Sequence, residues 1–275
     1  MDRLDELTRR WNAGENYDSD VQRRIWDRRA QDFSEHPLPA ADTDPFLVLM
    51  REEHPLTSGT RVLDLGCGAG GYSIALSPLV GEAAGTDISP EMIRAASRRA
   101  VSEGVSNCSF VCCDWTQADI DSLGYRGNFD IVFAHMTPAV CDSATLEKMD
   151  SCSTDLCMIQ KPARRTNRIQ DICYREAGIP GEASLDEDIA DIFCWLWFKG
   201  YEPRLSYAHE TWESPMESEK MLNWITDRIR LKTQVDEELV MRIKDVIAAN
   251  TGEDGMVGEV TDTSLVTILW HKCPR

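Results

Sequence analysis

Long apolar runs are missing from this chain. No stretch approaches the roughly 18 consecutive apolar residues that a membrane-crossing helix needs. The charged opening Met1–Arg10 has no apolar core of the kind a secretory signal carries. Both absences point to a soluble, cytoplasmic protein without a membrane partner. Positive charge is scarce as well: 29 lysines and arginines face 47 aspartates and glutamates, for a formal net charge of −18. Such a field repels polyanions, so a small molecule rather than nucleic acid is the expected partner. Ten cysteines are present, but none stands in a CxxC pair, and the five histidines are dispersed at 36, 54, 135, 209 and 271. That spacing argues against a dedicated zinc site, and a long core-forming chain without a secretion signal keeps its thiols reduced. The alternative is a soft-metal pocket gathered from Cys112, Cys113, Cys141 and Cys152; buried thiols more often act as small hydrophobes. Internal repeats and low-complexity segments are also lacking.

What the chain does have is enough apolar content, 42% of 275 residues, to bury one large core. Within it, Val62-Leu63-Asp64-Leu65-Gly66-Cys67-Gly68-Ala69-Gly70-Gly71 is a short apolar strand that delivers an acid into a glycine-dense turn. Glycine stands where the backbone takes positive φ or where a ligand approaches to contact distance. Gly66, Gly68 and Gly71 also fit the dinucleotide fingerprint, with Asp87 at about the ribose-binding distance, so a nicotinamide-dependent oxidoreductase is one alternative. Asp64 weighs against it. A carboxylate two residues before the first glycine repels a pyrophosphate and attracts a cationic ligand. Asp64, Asp87 after Ala83 to Thr86, and Asp114 after Phe110 to Cys113 each close an apolar strand. Three carboxylates therefore converge at the carboxyl edge of a sheet, where ligands sit in open α/β folds.

On these residues, 61 to 135, the sequence resembles the class I S-adenosylmethionine-dependent methyltransferases. Their first motif reads VLDLGCGxG, followed by an acid ending the second strand and a (D/E)-(W/A) pair after the third. The resemblance implies an α/β fold with a Rossmann-like seven-stranded, mostly parallel sheet, helices on both faces, and S-adenosylmethionine as cofactor with S-adenosylhomocysteine as product. Carried over residue by residue, it makes the backbone of Gly66, Cys67 and Gly68 the close-approach surface for the methionine part, with Asp64 the acid near its amino end. Asp87 becomes the ribose acceptor, Ile88 packs on the adenine, and Met92 is counted with the same site. Asp114 matches the adenine-amine position with Trp115 beside it, while Ala134 and His135 end the fourth strand next to the reacting methyl.

Periodicity places the remaining elements. Tyr17 to Phe33 is expected to be helical, ended by prolines 37 and 39, and Pro45 to Glu53 forms a second helix. Gly71 to Leu79 and Ser89 to Glu103 follow as helices, the latter with a serine cap and a proline in its first turn. Strands are expected at Phe129 to Ala134, Leu156 to Gln160, Arg204 to His209 and Ser264 to His271. Helices are expected at Ala144 to Asp150, Leu185 to Lys199, Glu217 to Ile229 and Asp236 to Ala249, the last after a Thr233 cap. The domain plan is an N-terminal helical segment, 1–56, and a methyltransferase domain, 57–275, with a helical insertion at 210–256 before the last strand.

Ile25 to Phe33 looks like the W-x-x-R-A-x-x-(Y/F) segment that lies over the cofactor in many small-molecule methyltransferases, which makes Trp26 and Phe33 cofactor-covering residues; the alternative is a helix fixed to the sheet. His135-Met136-Thr137-Pro138 occupies the position where enzymes acting on amides or exocyclic amines carry an N-P-P-Y type motif, and has neither the asparagine nor the tyrosine. His135 is therefore a candidate general base for a hydroxyl or thiol, or else a lining residue, since many such transfers need only proximity. Lys161, Arg164, Arg165 and Arg168 form the dense basic stretch, expected as a solvated loop after strand five, or as a holder of a substrate carboxylate or phosphate. Trp195, Trp197, Phe198, Trp212 and Trp224 stand at helical spacing that suits a core better than a substrate pocket. Together these features describe direct methyl displacement onto a small molecule without a metal; a cofactor-binding protein without catalysis is the third possibility.

Overall fold

Apolar runs of five to seven residues in the middle of the chain become strands buried along nearly their whole length, as strands covered on both faces must be. They are β1 (Arg61–Leu65), β2 (Glu82–Asp87) and, after the half-buried to exposed edge strand β3 (Cys108–Cys112), β4 (Phe129–His135). In this computed structural model, which describes residues 3–13, 17–179, 183–213 and 215–272, five more strands follow. These are β5 (Ser153–Asn167), β6 (Arg204–Glu213), β7 (Met216–Glu217), β8 (Met256–Val257) and β9 (Val260–His271). Seven of them form one sheet in the order β3-β2-β1-β4-β5-β9-β6, and β7 and β8 pair separately. The pairs β1–β2, β2–β3, β1–β4 and β4–β5 are parallel. From β1 the chain steps outward through β2 and β3, then returns to the other side of β1 with β4. That reversal opens a crevice at the carboxyl ends of β1 and β4, the place where such sheets bind ligands.

The helices are α1 (Arg3–Ala13), α2 (Ser19–Glu35), α3 (Pro45–Glu53), α4 (Gly71–Leu76), α5 (Pro90–Ser102), α6 (Ser143–Cys152), α7 (Arg168–Glu176), α8 (Ala183–Phe198), α9 (Ser218–Arg230) and α10 (Glu237–Ala248). Their starts follow cap chemistry. Asp18 accepts from the Val21 amide, Asp44 from the Phe46 and Leu47 amides, and Ser89 from the Met92 amide. Asp236, not Thr233, caps α10: it directly precedes the helix in extended backbone and accepts from the Leu239 amide at 2.8 Å. No helix among the described residues is long and apolar enough to cross a membrane.

By contacts the chain divides into two units. The first comprises residues 1–161, 188–206 and 266–275. On one face of its sheet, Phe46, Leu47 and Met50 of α3 and Leu76 of α4 pack on Ile131, Phe133, Leu156, Met158 and Leu269. The helix α1 was not anticipated, although Leu4, Leu7 and Trp11 stand at i, i+3 and i+7 among its charges; Leu7 and Trp11 are buried. Trp11 Nε1 donates to Asp188 Oδ1 at 3.1 Å, and Arg10 pairs with Asp191.

The second unit comprises residues 162–187 and 207–265. Its core is Ile169, Cys173 and Tyr174 of α7 against Met221, Ile225 and Ile229 of α9 and Leu239, Ile243 and Ile247 of α10. The helical pair expected at 210–256 is thus part of a larger unit, since α7 supplies a third apolar face.

The basic stretch is a correction to the sequence expectation. It is no solvated loop: Lys161, Arg164 and Arg165 lie in β5, which runs on to Asn167, and Arg168 opens α7. Lys161 is buried, donates to the Val140 carbonyl at 2.9 Å and pairs with Asp188, so its charge is spent inside the fold. Arg165 lies over the Trp212 ring. Among the tryptophans Trp195 is core, but Trp197 is 59% exposed and Phe198 is exposed too, because they fall on the solvent face of α8.

Candidate active site

The loop after β1 has three glycines at positive φ, Gly66 (68°), Gly68 (54°) and Gly70 (77°), which folds it back across the carboxyl ends of the strands. Asp87, at the end of β2, clamps this loop: its Oδ2 accepts the Gly68 amide at 3.0 Å and its Oδ1 the Ser89 amide at 2.8 Å. Burial pushes its carboxyl up to about 6 despite those two donors.

Asp64 lies one layer deeper. It is 2% exposed, and its Oδ2 accepts the Ser73 hydroxyl at 2.8 Å. Burial pushes its carboxyl up to about 7, against the pull of Ser73 and with the Asp87 charge adding to the rise. Because the folded value lies above the unfolded one, Asp64 stabilises the fold fully below about pH 4 and loses that contribution as pH rises through 7. Asp64→Asn keeps the size and the Ser73 acceptor without the charge. It is expected to gain roughly 2–4 kcal/mol over the parent at pH 8 and little at pH 4. Urea unfolding of both proteins at the two pH values measures this, and equal gains at both would refute the buried-charge explanation.

A cavity of about 390 Å³ opens between the loops that follow β1 to β4 and the segment from α2 to α3. Trp26, Phe33, Gly66, Cys67, Gly68, Asp87, Ile88, Met92, Trp115 and His135 all line it, so ten of the residues singled out from sequence come together. Three do not. Asp64 is covered by α4. Asp114 turns away: its Oδ1 takes the Thr116 amide and hydroxyl, and its Oδ2 takes the Ser19 hydroxyl at 2.6 Å. Ala134 is buried inside β4, in register with Ile159 of β5.

The helix α2 packs along α5, with Ala30 against Ala69, Met92 and Ala95, and with the Trp26 and Phe33 rings edge to face at 5.9 Å. Besides Ser19–Asp114, it is held by Ser89 Oγ donating to Asp27 Oδ1 at 2.5 Å.

At the far side of the cavity His135 stacks on Tyr72, ring centroids 4.0 Å apart, and meets Phe46 at 4.9 Å. Burial pushes its imidazole down to about 4, while the nearby Asp44 charge and Gln160 favour the protonated form. His135 is therefore neutral at pH 7. Tyr72 donates to Asp44 Oδ2 at 3.0 Å. Tyr72 and the His36 to Pro39 run, which also line the cavity, were missed in the sequence. The signals were a tyrosine directly after the glycine turn and an H-P-x-P run closing the lid-like helix. Neither has a helical or strand period, so periodicity passed over them. Among the described residues no three histidine, cysteine or acidic side chains gather to hold a metal ion.

Residues 56–191 match the sequence profile of a methyltransferase domain, over the same strands and loops that build the cavity. Over those residues, just under half of its length, the chain carries a methyltransferase domain. A 23S rRNA (uracil(1939)-C(5))-methyltransferase of Shewanella amazonensis is 37% identical over 73 residues, 26% of this chain and 16% of that protein. The ubiquinone biosynthesis O-methyltransferase of Burkholderia multivorans is 28% identical over 116 residues, 42% of this chain and 45% of that protein. The chain thus spans less than half the length of either relative. In fold it is similar to the crystal structure of phosphoethanolamine N-methyltransferase 2 of Haemonchus contortus in complex with S-adenosylhomocysteine. There the TM-score is 0.51 at 14% identity, covering 92% of this chain and 60% of that one.

S-adenosylmethionine is the cofactor that the resemblance implies, and the residues present fit such a group. The exposed backbone of Gly66 to Gly68 leaves room for a close approach, Asp87 offers a carboxylate at the cavity wall, and Ile88, Met92 and Trp115 supply apolar surface. Arg99, also in the lining, donates to the His36 carbonyl at 2.6 Å and keeps its charge there.

Proposed function

We propose that this methyltransferase acts on a hydroxyl or thiol of a small molecule, with His135 receiving the acceptor's proton. The observation that carries this reading is a neutral imidazole at the wall of a largely apolar cavity, beside the glycine loop. S-adenosylmethionine, when bound, supplies the methyl group on a sulfonium. Gly66 to Gly68 would hold its methionine part and Asp87 its ribose hydroxyls, with Ile88, Met92 and Trp115 along the adenine. His135 has a free lone pair on one ring nitrogen at pH 7 and takes a proton as the acceptor oxygen or sulfur loses it. The apolar lining keeps water from competing. The segment 1–56 supplies a lid through α2: Trp26 and Phe33 face the cavity, and two side-chain hydrogen bonds, Ser19–Asp114 and Ser89–Asp27, hold it to the rim. The net charge of −18 supports a small acceptor over RNA, as does the O-methyltransferase likeness.

Calorimetric titration of the purified chain with S-adenosylmethionine and with NAD tests the cofactor. Heat of binding is expected only with the first, and hydrogen exchange across residues 19–35 is expected to slow when S-adenosylhomocysteine is added. With methyl-labelled cofactor, label is expected in small hydroxyl or thiol compounds and to persist after exhaustive chelation. Label in RNA instead, or protection of residues 19–35 that is high beforehand and unchanged by ligand, would overturn the acceptor class or the lid respectively.

A further inference from the structure

Gln160 is the neighbour of His135 in the sheet, its register partner across the parallel pair β4–β5. Its side chain is 4% exposed and its amide is half committed: Nε2 donates to Thr267 Oγ1 on β9 at 2.9 Å, while Oε1 is buried without a hydrogen-bond partner of good geometry. An unmatched buried acceptor is costly, and a native fold keeps one only where a donor comes within reach. The donor at hand is an N–H of the His135 imidazole, since Gln160 favours its proton-bearing form. The ring also packs on Tyr72 and Phe46. A neutral imidazole has one donor and one acceptor nitrogen, so whichever nitrogen faces Gln160 Oε1 carries the proton and the other is left bare.

We propose that Gln160 is the positioning residue that sets the tautomer of His135, holding one ring nitrogen as donor so that the opposite nitrogen is free to take the acceptor's proton. Thr267 orients the amide from behind. The proposal rests on His135 acting as the base, and it narrows the acceptor to a group that arrives with a proton to lose, a hydroxyl or thiol. No charged side chain enters this line of hydrogen bonds. The charged group that faces the ring is Asp44, the α3 cap, whose Oδ2 is occupied by the Tyr72 hydroxyl.

The test is two-bond ¹H–¹⁵N spectroscopy of the five histidines in the full chain at pH 7, with His135→Asn to assign the signal. A single neutral tautomer is expected in the parent, a mixture or the opposite tautomer in Gln160→Leu, and partial mixing in Thr267→Val, the milder change should Gln160→Leu fold poorly. Gln160→Glu keeps the acceptor and adds a charge. It is expected to preserve the tautomer and move the titration midpoint of His135 upward. With an acceptor in hand, kcat of Gln160→Leu is expected to fall at least about tenfold with the KM for S-adenosylmethionine within twofold, and Gln160→Glu to restore most of it while shifting the acid limb of the pH profile. An unchanged tautomer in Gln160→Leu, or in the parent a proton on the nitrogen away from Gln160, would overturn the assignment. If His135→Asn retains full kcat, the base reading fails instead, and the spectra still decide whether Gln160 sets the tautomer.

Discussion

Gly66→Ala is expected to abolish binding of S-adenosylmethionine and to cost the fold roughly 2–5 kcal/mol. Gly66 sits at φ +68°, where an added Cβ would lie 2.0 Å from Thr137 Oγ1 and 2.7 Å from Thr137 Cβ. Thr137 cannot simply turn aside, because its hydroxyl accepts the Ala139 amide at 3.2 Å within the loop after β4. The substitution therefore forces apart the two loops that define the crevice. Denaturant unfolding gives the stability loss and calorimetry the affinity. Pairing the change with Thr137→Gly is expected to recover part of the stability. Affinity within threefold of the parent would show that these loops need not touch for the cofactor to bind. Gly68 behaves differently: its added Cβ would meet only Phe33 and Met92, at 3.9 and 4.0 Å. A branched side chain there intrudes on the ligand rather than on the protein.

Asp87→Ala is expected to weaken S-adenosylmethionine binding by roughly 1.5–3 kcal/mol, the scale of hydrogen bonds to a charged group, or about 10- to 150-fold. The same carboxylate holds the Gly68 and Ser89 amides, so the variant also frees two donors and loosens the loop. Asp87→Asn separates the two effects, since it keeps an acceptor and loses the charge. With its carboxyl held at about 6, the parent is expected to bind more tightly as pH rises from 5 to 7 and the carboxylate forms, whereas Asp87→Asn is expected to show no such rise. Titrations across that range check it. Unchanged affinity in Asp87→Ala would remove the ribose role from Asp87.

Legibility in the sequence followed the range of the interaction. Strand β1, the glycine turn, the cap Ser89 and the acid after β2 are encoded within a few residues, and all were readable. Lys161 read as a solvent-facing charge because Asp188, which neutralises it, lies 27 positions away. Leu4, Leu7 and Trp11 carry a helical spacing, but in a charged opening that was read only for its lack of a continuous apolar run.

The amino-acid sequence by itself determined the fold class and the crevice at the ends of β1 and β4, because an apolar strand, an acid and a glycine turn in succession have few other structures open to them. Only the tertiary structure decided which acids line the cavity. Asp64, Asp87 and Asp114 each follow an apolar run and look equivalent in the chain, yet Asp64 is turned into the core by Ser73 and Asp114 toward Ser19, 95 residues away, leaving Asp87 at the cavity wall. A carboxylate points to whatever donors the fold brings within 3 Å, and those donors come from elements that no local pattern places beside it.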